Sequence, residues 1–129
     1  GVVEQDEKET GLRMILNFGH TIGHAIEAAT GYSKYTHGEA VAMGMIYESS
    51  IAMKMGLVNQ GYINRLSDIL RRAGLPTQLD TPAWGPIVER MIHDKKNVNQ
   101  GIVLVLPTGY GKVSIIKDLN PEQVKQMLQ

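Results

Sequence analysis

The sequence contains no cysteine in its 129 residues, so it can form neither a disulfide framework nor a thiolate metal site. It has no excess charge, because thirteen basic residues balance thirteen acidic ones, and this gives no sign of binding to nucleic acid or to a membrane. No apolar run approaches the roughly eighteen residues of a membrane span, and no signal peptide is recognisable. We therefore expect one compact domain that works in the reducing cytoplasm.

Two catalytic signatures are also missing. No glycine-rich dinucleotide fingerprint is present, so the sequence offers no NAD site of its own. His20 and His24 have the i, i+4 spacing of the helical zinc site of metalloproteases, but that motif requires glutamate directly after the first histidine. Thr21 occupies that position, and we set the protease interpretation aside.

Polar side chains form a line along the first predicted helix, which we expect over about residues 11–30. They follow one another at spacings of four, three, four and three, and at about 100° per residue they fall within an arc of roughly 80°. The rest of this segment is apolar, so the line lies in an otherwise buried helix. Such groups are costly in a core unless something polar is bound there. The line consists of Arg13, Asn17, His20, His24 and Glu27.

The remaining pattern predicts a mainly α fold, a multi-helix domain with one small β-hairpin. Gly19 and Gly23 lie away from the polar line, where a second helix can approach closely. Asn120 is expected to cap the last helix, with proline at its first position. The further predicted elements are helices over 37–56, 60–73 and from 81 to the polar segment 93–97, strands over 102–106 and 112–117, and a terminal helix from 121.

Histidines suggest a metal site at the end of this polar line. His20 and His24 can ligate one ion from one helix face, and His37, which follows a short loop, can approach His24 and Glu27. A catalytic zinc usually has three protein ligands and one open position, and the three histidines with Glu27 or Glu39 could supply them. The alternative is that these are core histidines satisfied by carbonyl and carboxylate groups.

Cationic and amide groups suggest an anionic ligand. Arg13 offers a planar guanidinium group that can donate two hydrogen bonds to a carboxylate or phosphate, and Asn17 adds a neutral donor. Lys95 and Lys96 bring further positive charge if the chain folds back onto the first helix. The alternative for this lysine pair is a solvated helix end.

Three segments together resemble one known family. GLRMILNFGHTIGHAIE, followed by HGEAVAMGM and then by MIHDKKN, closely resembles the C-terminal domain of the 3-dehydroquinate synthase family over essentially the whole chain. The resemblance implies two parts. Residues 1–10 would be a polar lead-in from a missing N-terminal NAD-binding domain, and residues 11–129 would be the helical metal- and substrate-binding domain.

The resemblance also implies an activity. The family converts the sugar acid phosphate DAHP (3-deoxy-D-arabino-heptulosonate 7-phosphate) to 3-dehydroquinate and phosphate in the shikimate pathway of aromatic amino-acid biosynthesis. It is an NAD- and metal-dependent carbon–oxygen lyase and cyclase that uses zinc or cobalt, and it is expected to be a homodimer when full length. The isolated chain, which lacks the NAD site, is expected to be inactive.

The resemblance assigns roles to the three histidines. His20 and His37 look like two of the three protein zinc ligands, with a glutamate of the N-terminal domain as the third. His24 looks like a catalytic residue that contacts the substrate near its phosphate and assists proton transfer. This assignment replaces the hypothesis above that His20 and His24 bind the same metal ion.

Substrate-binding roles come from the same comparison of motifs. Arg13 resembles the arginine that holds the substrate carboxylate, and Asn17 resembles the amide that helps to bind the phosphate. The Asp-Lys-Lys segment supplies a substrate-binding lysine, for which we favour Lys96 over Lys95.

Other functions stay open. A related sugar-phosphate cyclase or a glycerol dehydrogenase-like metal enzyme would share this kind of helical domain. Arg13, together with the intact segment 94–96, argues for the dehydroquinate reaction. From a different class, the chain could be a non-catalytic helical module without metal affinity.

Overall fold

The computed structural model describes residues 18–79, 84–93, 102–109 and 112–129. Within these ranges the chain forms five helices and a two-stranded antiparallel sheet, which confirms the predicted mainly α fold with one hairpin. None of the described helices is long and apolar enough to cross a membrane. The elements are α1 (His20–Ala29), α2 (His37–Lys54), α3 (Gln60–Arg72), α4 (Trp84–His93), β1 (Ile102–Gly109), β2 (Lys112–Leu119) and α5 (Pro121–Leu128).

Helices α1 and α2 pack backbone against backbone. A Cβ at Gly44 would lie 2.7 Å from the Gly23 nitrogen and closer still to the Gly19 carbonyl oxygen, whereas a Cβ at Gly23 would lie 3.1 Å from the Ala40 oxygen. Contacts shorter than about 3 Å leave no room for a side chain. The predicted close approach at the glycine pair is therefore confirmed, and the two helices run antiparallel.

Helix α1 begins later than the sequence predicts. Phe18 and Gly19 form a turn, and Gly19 has a φ of 87°, which a residue inside a right-handed helix does not adopt. The left-handed conformation fits tightly against α2, because a Cβ at Gly19 would lie 2.7 Å from the Val41 oxygen. An unbroken helix over residues 11–30 is therefore wrong at residues 18–19. The prediction that Arg13 and Asn17 lie in line with His20 assumed an unbroken helix, so it no longer follows.

Helix α2 has well-defined ends. The Thr36 hydroxyl accepts a hydrogen bond from the Glu39 N–H, and the Glu39 carboxylate accepts one from the Thr36 N–H at 2.8 Å, which makes a capping box. The helix ends at Lys54, two residues earlier than predicted, and Gly56 follows with a φ of 80°. The capping box fixes where α2 starts, and therefore where its first residue, His37, is held.

One core joins α1, α2, α4, the hairpin and α5, and α3 lies outside it. Helix α3 contacts α2 through a separate small cluster that includes Leu70 and Ile46. Ile69 of α3 is 56% exposed because this contact is narrow. The largest fully buried apolar side chains of the main core are Ile22, Ile26, Met43, Ile51, Ile87, Met91, Ile102, Leu104, Leu106 and Val124.

Candidate metal centre

Three histidine rings meet where α1 and α2 pack together. His20 and His24 lie one turn apart on α1, and His37 is the first residue of α2. The ring centroids are 5.8 Å apart for His20 and His24, 5.5 Å for His20 and His37, and 5.6 Å for His24 and His37. The predicted approach of His37 to the histidines of the first helix is therefore confirmed.

This triangle has dimensions that suit a single metal ion. Zinc binds imidazole nitrogen at about 2.0–2.1 Å, so three imidazoles on one tetrahedral ion have ring centroids about 5 Å apart. The Nδ1 atom of His20 is buried and has no hydrogen-bond partner among the described residues. A buried imidazole nitrogen without a partner is unfavourable unless a ligand binds there. The residues present therefore fit a divalent metal.

Glu27 adds a carboxylate to the three rings. Its Oε1 atom lies 2.8 Å from Nδ1 of His37, and because a carboxylate only accepts hydrogen bonds, the Nδ1–H of His37 is the donor. The possible ligand atoms of His24, Glu27 and His37 lie within 4.8 Å of one another. The resemblance implies His20 and His37 as the metal ligands, and of these only His37 belongs to this compact set.

Tyr32 completes an open pocket that is also lined by His24, Glu27 and His37. Its N–H donates to the Glu27 carbonyl oxygen at 2.8 Å, and its φ of 63° is left-handed, which is uncommon for a bulky residue. Left-handed residues other than glycine cluster at functional sites. Sequence reasoning missed Tyr32, for which the only signal was an aromatic residue directly after the glycine that stops the first helix.

Glu48 is a second residue that sequence reasoning missed. It is fully buried in the middle of α2, and within the described ranges neither carboxyl oxygen has a hydrogen-bond partner. Burial raises the pKa of Glu48 well above its ordinary value of 4.5, and the nearby backbone N–H of Gly19 lowers it by a smaller amount without reaching hydrogen-bonding geometry. The signal was a carboxylate in the middle of a predicted helix with almost no polar surface.

The anion-binding part of the predicted site lies outside the described residues. Arg13 and Asn17 precede the first described residue, and Lys95 and Lys96 fall between two described segments. Their predicted roles therefore stay predictions.

Comparison with known proteins identifies relatives over the whole chain. The family model described as 3-dehydroquinate synthase C-terminal matches residues 1–97. The 3-dehydroquinate synthase of Thermoanaerobacter sp. (strain X514) is 46% identical over 128 residues, which are 99% of this chain and 36% of that protein. The enzyme of Caldanaerobacter subterraneus subsp. tengcongensis is 48% identical over the same shares. The chain thus spans just over a third of the curated relatives it matches.

Solved structures with the same fold include two synthases. The crystal structure of 2-deoxy-scyllo-inosose synthase complexed with carbaglucose-6-phosphate, NAD+ and Co2+ has a TM-score of 0.75 at 29% identity, over 89% of this chain and 34% of that one. The 2-epi-5-epi-valiolone synthase of Streptomyces hygroscopicus subsp. jinggangensis 5008, with NAD+ and Zn2+ bound, has a TM-score of 0.74 at 24% identity, over 87% and 31%. The second likeness supports the fold alone.

Proposed function

Because the chain belongs to the 3-dehydroquinate synthase family, in which it matches the C-terminal domain, we propose that it is the metal- and substrate-binding part of an enzyme that converts DAHP to 3-dehydroquinate and phosphate. The observation that carries the proposal is that the ring centroids of His20, His24 and His37 lie within 5.8 Å of one another. The proposal includes a role in the shikimate pathway in the cytoplasm, and a homodimer as the complete form.

The proposed metal ligands are His20 and His37, with a glutamate of an N-terminal domain as the third. The unpartnered Nδ1 atom of His20 supports this role. A divalent metal held there, zinc or cobalt, would supply Lewis acidity for the hydroxyl and ketone oxygens of the substrate. NAD, held by the N-terminal domain, would supply reversible hydride transfer. The NAD+ and Co2+ in the structure of 2-deoxy-scyllo-inosose synthase support both groups.

His24 is the proposed catalytic residue. It is the exposed histidine of α1 and faces the open pocket, so its imidazole can accept a proton from a bound substrate and return it during phosphate elimination. His37 is tied to Glu27 by its Nδ1–H, whereas no such partner is found for His24 among the described residues. His24 is therefore the freer of the two rings to exchange a proton.

The substrate itself would be held by cationic and amide groups. We propose that Arg13 binds the substrate carboxylate and that Asn17 binds the phosphate, with Lys96 or Lys95 as a further phosphate or carboxylate contact. Holding the anion through every step keeps the reacting atoms aligned.

A related sugar-phosphate cyclase is the second candidate, favoured by the likeness to 2-deoxy-scyllo-inosose synthase at 29% identity. Both candidates can be tested with the complete enzyme that contains this chain, by following phosphate release from DAHP and from sedoheptulose 7-phosphate. We expect the complete enzyme to release phosphate from DAHP but not from sedoheptulose 7-phosphate. We expect the isolated chain to release none. Turnover of sedoheptulose 7-phosphate but not of DAHP would favour the second candidate, and robust turnover by the isolated chain would refute the proposed division of the site.

A further inference from the structure

The hydrogen bond between Glu27 and His37 connects α1 to the first residue of α2. We propose that Glu27 is a positioning residue that fixes the tautomer and the orientation of the His37 ring, so that the ring offers its Nε2 lone pair to the metal. The metal part of this inference rests on the proposed function, whereas the effect on His37 itself belongs to the metal-free chain.

The tautomer follows from the geometry of the contact. Glu27 Oε1 lies 2.8 Å from His37 Nδ1, and an ionised carboxylate accepts but does not donate. The proton of the neutral ring must then lie on Nδ1, which leaves the lone pair on Nε2. Metal-bound histidines usually donate their other ring N–H to a carboxylate or a carbonyl group, which fixes the ring and raises its basicity.

The difference in exposure between the two side chains explains why His37 needs an anchor. The His37 side chain is 56% exposed, whereas that of Glu27 is 16% exposed. An exposed ring on the first residue of a helix loses rotamer freedom when it binds a metal. Glu27, held in the packed part of α1, restricts the ring before a metal arrives and so lowers that entropic cost.

Glu39 lies near the same helix start but is already engaged. Its carboxylate accepts the Thr36 N–H at 2.8 Å, and its own N–H donates to the Thr36 hydroxyl at 3.1 Å. Since glutamine also serves in a capping box, Glu39→Gln removes one negative charge beside His37 while keeping the cap. It is therefore a matched control for substitutions at Glu27.

The first test measures the tautomer of His37 in the metal-free chain. Long-range 1H–15N correlation spectra of the imidazoles, recorded at about pH 8, distinguish Nδ1–H from Nε2–H. We expect Nδ1–H in the wild-type chain and in Glu39→Gln. Glu27→Ala should shift His37 toward Nε2–H, and Glu27→Gln should keep much of the Nδ1–H form because its amide oxygen still accepts.

The second test measures zinc affinity by competition with a chelator. Glu27→Ala should weaken binding by about 10–100-fold, the usual effect of removing such a partner. Glu27→Gln should weaken it less, and Glu39→Gln should leave it unchanged.

Two results would overturn the inference. One is the same His37 tautomer in the wild-type chain and in Glu27→Ala. The other is an equal loss of zinc affinity in Glu27→Gln and Glu27→Ala while His37 keeps its wild-type tautomer in Glu27→Gln. That result would make Glu27 a metal ligand. If the wild-type chain binds no zinc, the proposed metal ligands are in doubt and the tautomer alone decides the role of Glu27.

Discussion

Glu48 is a buried ionisable residue in the middle of α2. Its carboxyl group is fully buried and lacks hydrogen-bond partners in the part of the chain that the structure describes. Burial raises its pKa well above 4.5. A carboxyl group with a raised folded-state pKa contributes stability below its unfolded-state pKa, and that contribution is lost as the pH rises through the folded-state pKa. Ionised Glu48 therefore destabilises the fold at alkaline pH.

Replacing Glu48 with glutamine should remove this pH dependence. The amide is nearly the same size but cannot ionise, so Glu48→Gln should raise Tm at neutral and alkaline pH. The Tm values of wild type and Glu48→Gln should converge below about pH 4.5, where the wild-type carboxyl group is protonated in both the folded and the unfolded state. The measurement is thermal unfolding by circular dichroism between acid and alkaline pH, with the exposed Glu122→Gln as control. A constant difference between Glu48→Gln and wild type at every pH would contradict the assignment.

Sequence reasoning was uneven at the scale of single residues. The spacing predicted that His37 approaches His24 and Glu27, because short loops place neighbouring helices side by side. Tyr32 and Glu48 were missed because their importance depends on tertiary packing: the left-handed backbone of Tyr32 at the pocket and the burial of Glu48 inside α2. Neither the left-handed backbone nor the complete burial follows from the spacing of residues along the chain.

At the scale of helices and strands, caps and periodicity located most elements to within a few residues. Helix α2 was predicted to within two residues, and the structure adds that Thr36 and Glu39 form its capping box. Each strand of the hairpin extends beyond its prediction, to Gly109 in β1 and to Leu119 in β2. The start of α1 was wrong, because contact with α2 favours the left-handed conformation of Gly19 and no neighbour along the chain reveals it.

The close approach of α1 and α2 should make Gly44 intolerant of any side chain. A Cβ there would collide with the backbone at Gly19 and Gly23, and backbone atoms cannot rotate away as a flexible side chain can. We expect Gly44→Ala to lower the free energy of unfolding by about 3 kcal/mol, measured by urea denaturation.

Gly38→Ala is the matched control in the same helix. A Cβ at Gly38 meets no atom of the described residues within 4 Å, so this change should be neutral or stabilising by up to about 1 kcal/mol. Equal destabilisation by the two substitutions would show that the helix contact is not what excludes a side chain at Gly44.

At the scale of the whole molecule, the chain carries one cluster of possible metal ligands. It spans 36% of the length of its curated relatives, and its described residues bring three histidines and a glutamate to one end of the α1–α2 pair. The fold class followed from helical periodicity and one turn-rich hairpin. The ligand set did not, because spacing along the chain leaves several combinations of these four side chains possible.

A zinc titration of this chain by calorimetry, alongside His20→Ala, His24→Ala and His37→Ala, tests the central claim most directly. The account predicts weak binding, because the proposed third ligand is a glutamate of an N-terminal domain. Binding should be lost in the His20 and His37 variants and retained in His24→Ala. A metal site that needs His24 but not His20 would contradict the proposed ligands, and the catalytic role of His24 would fall with them.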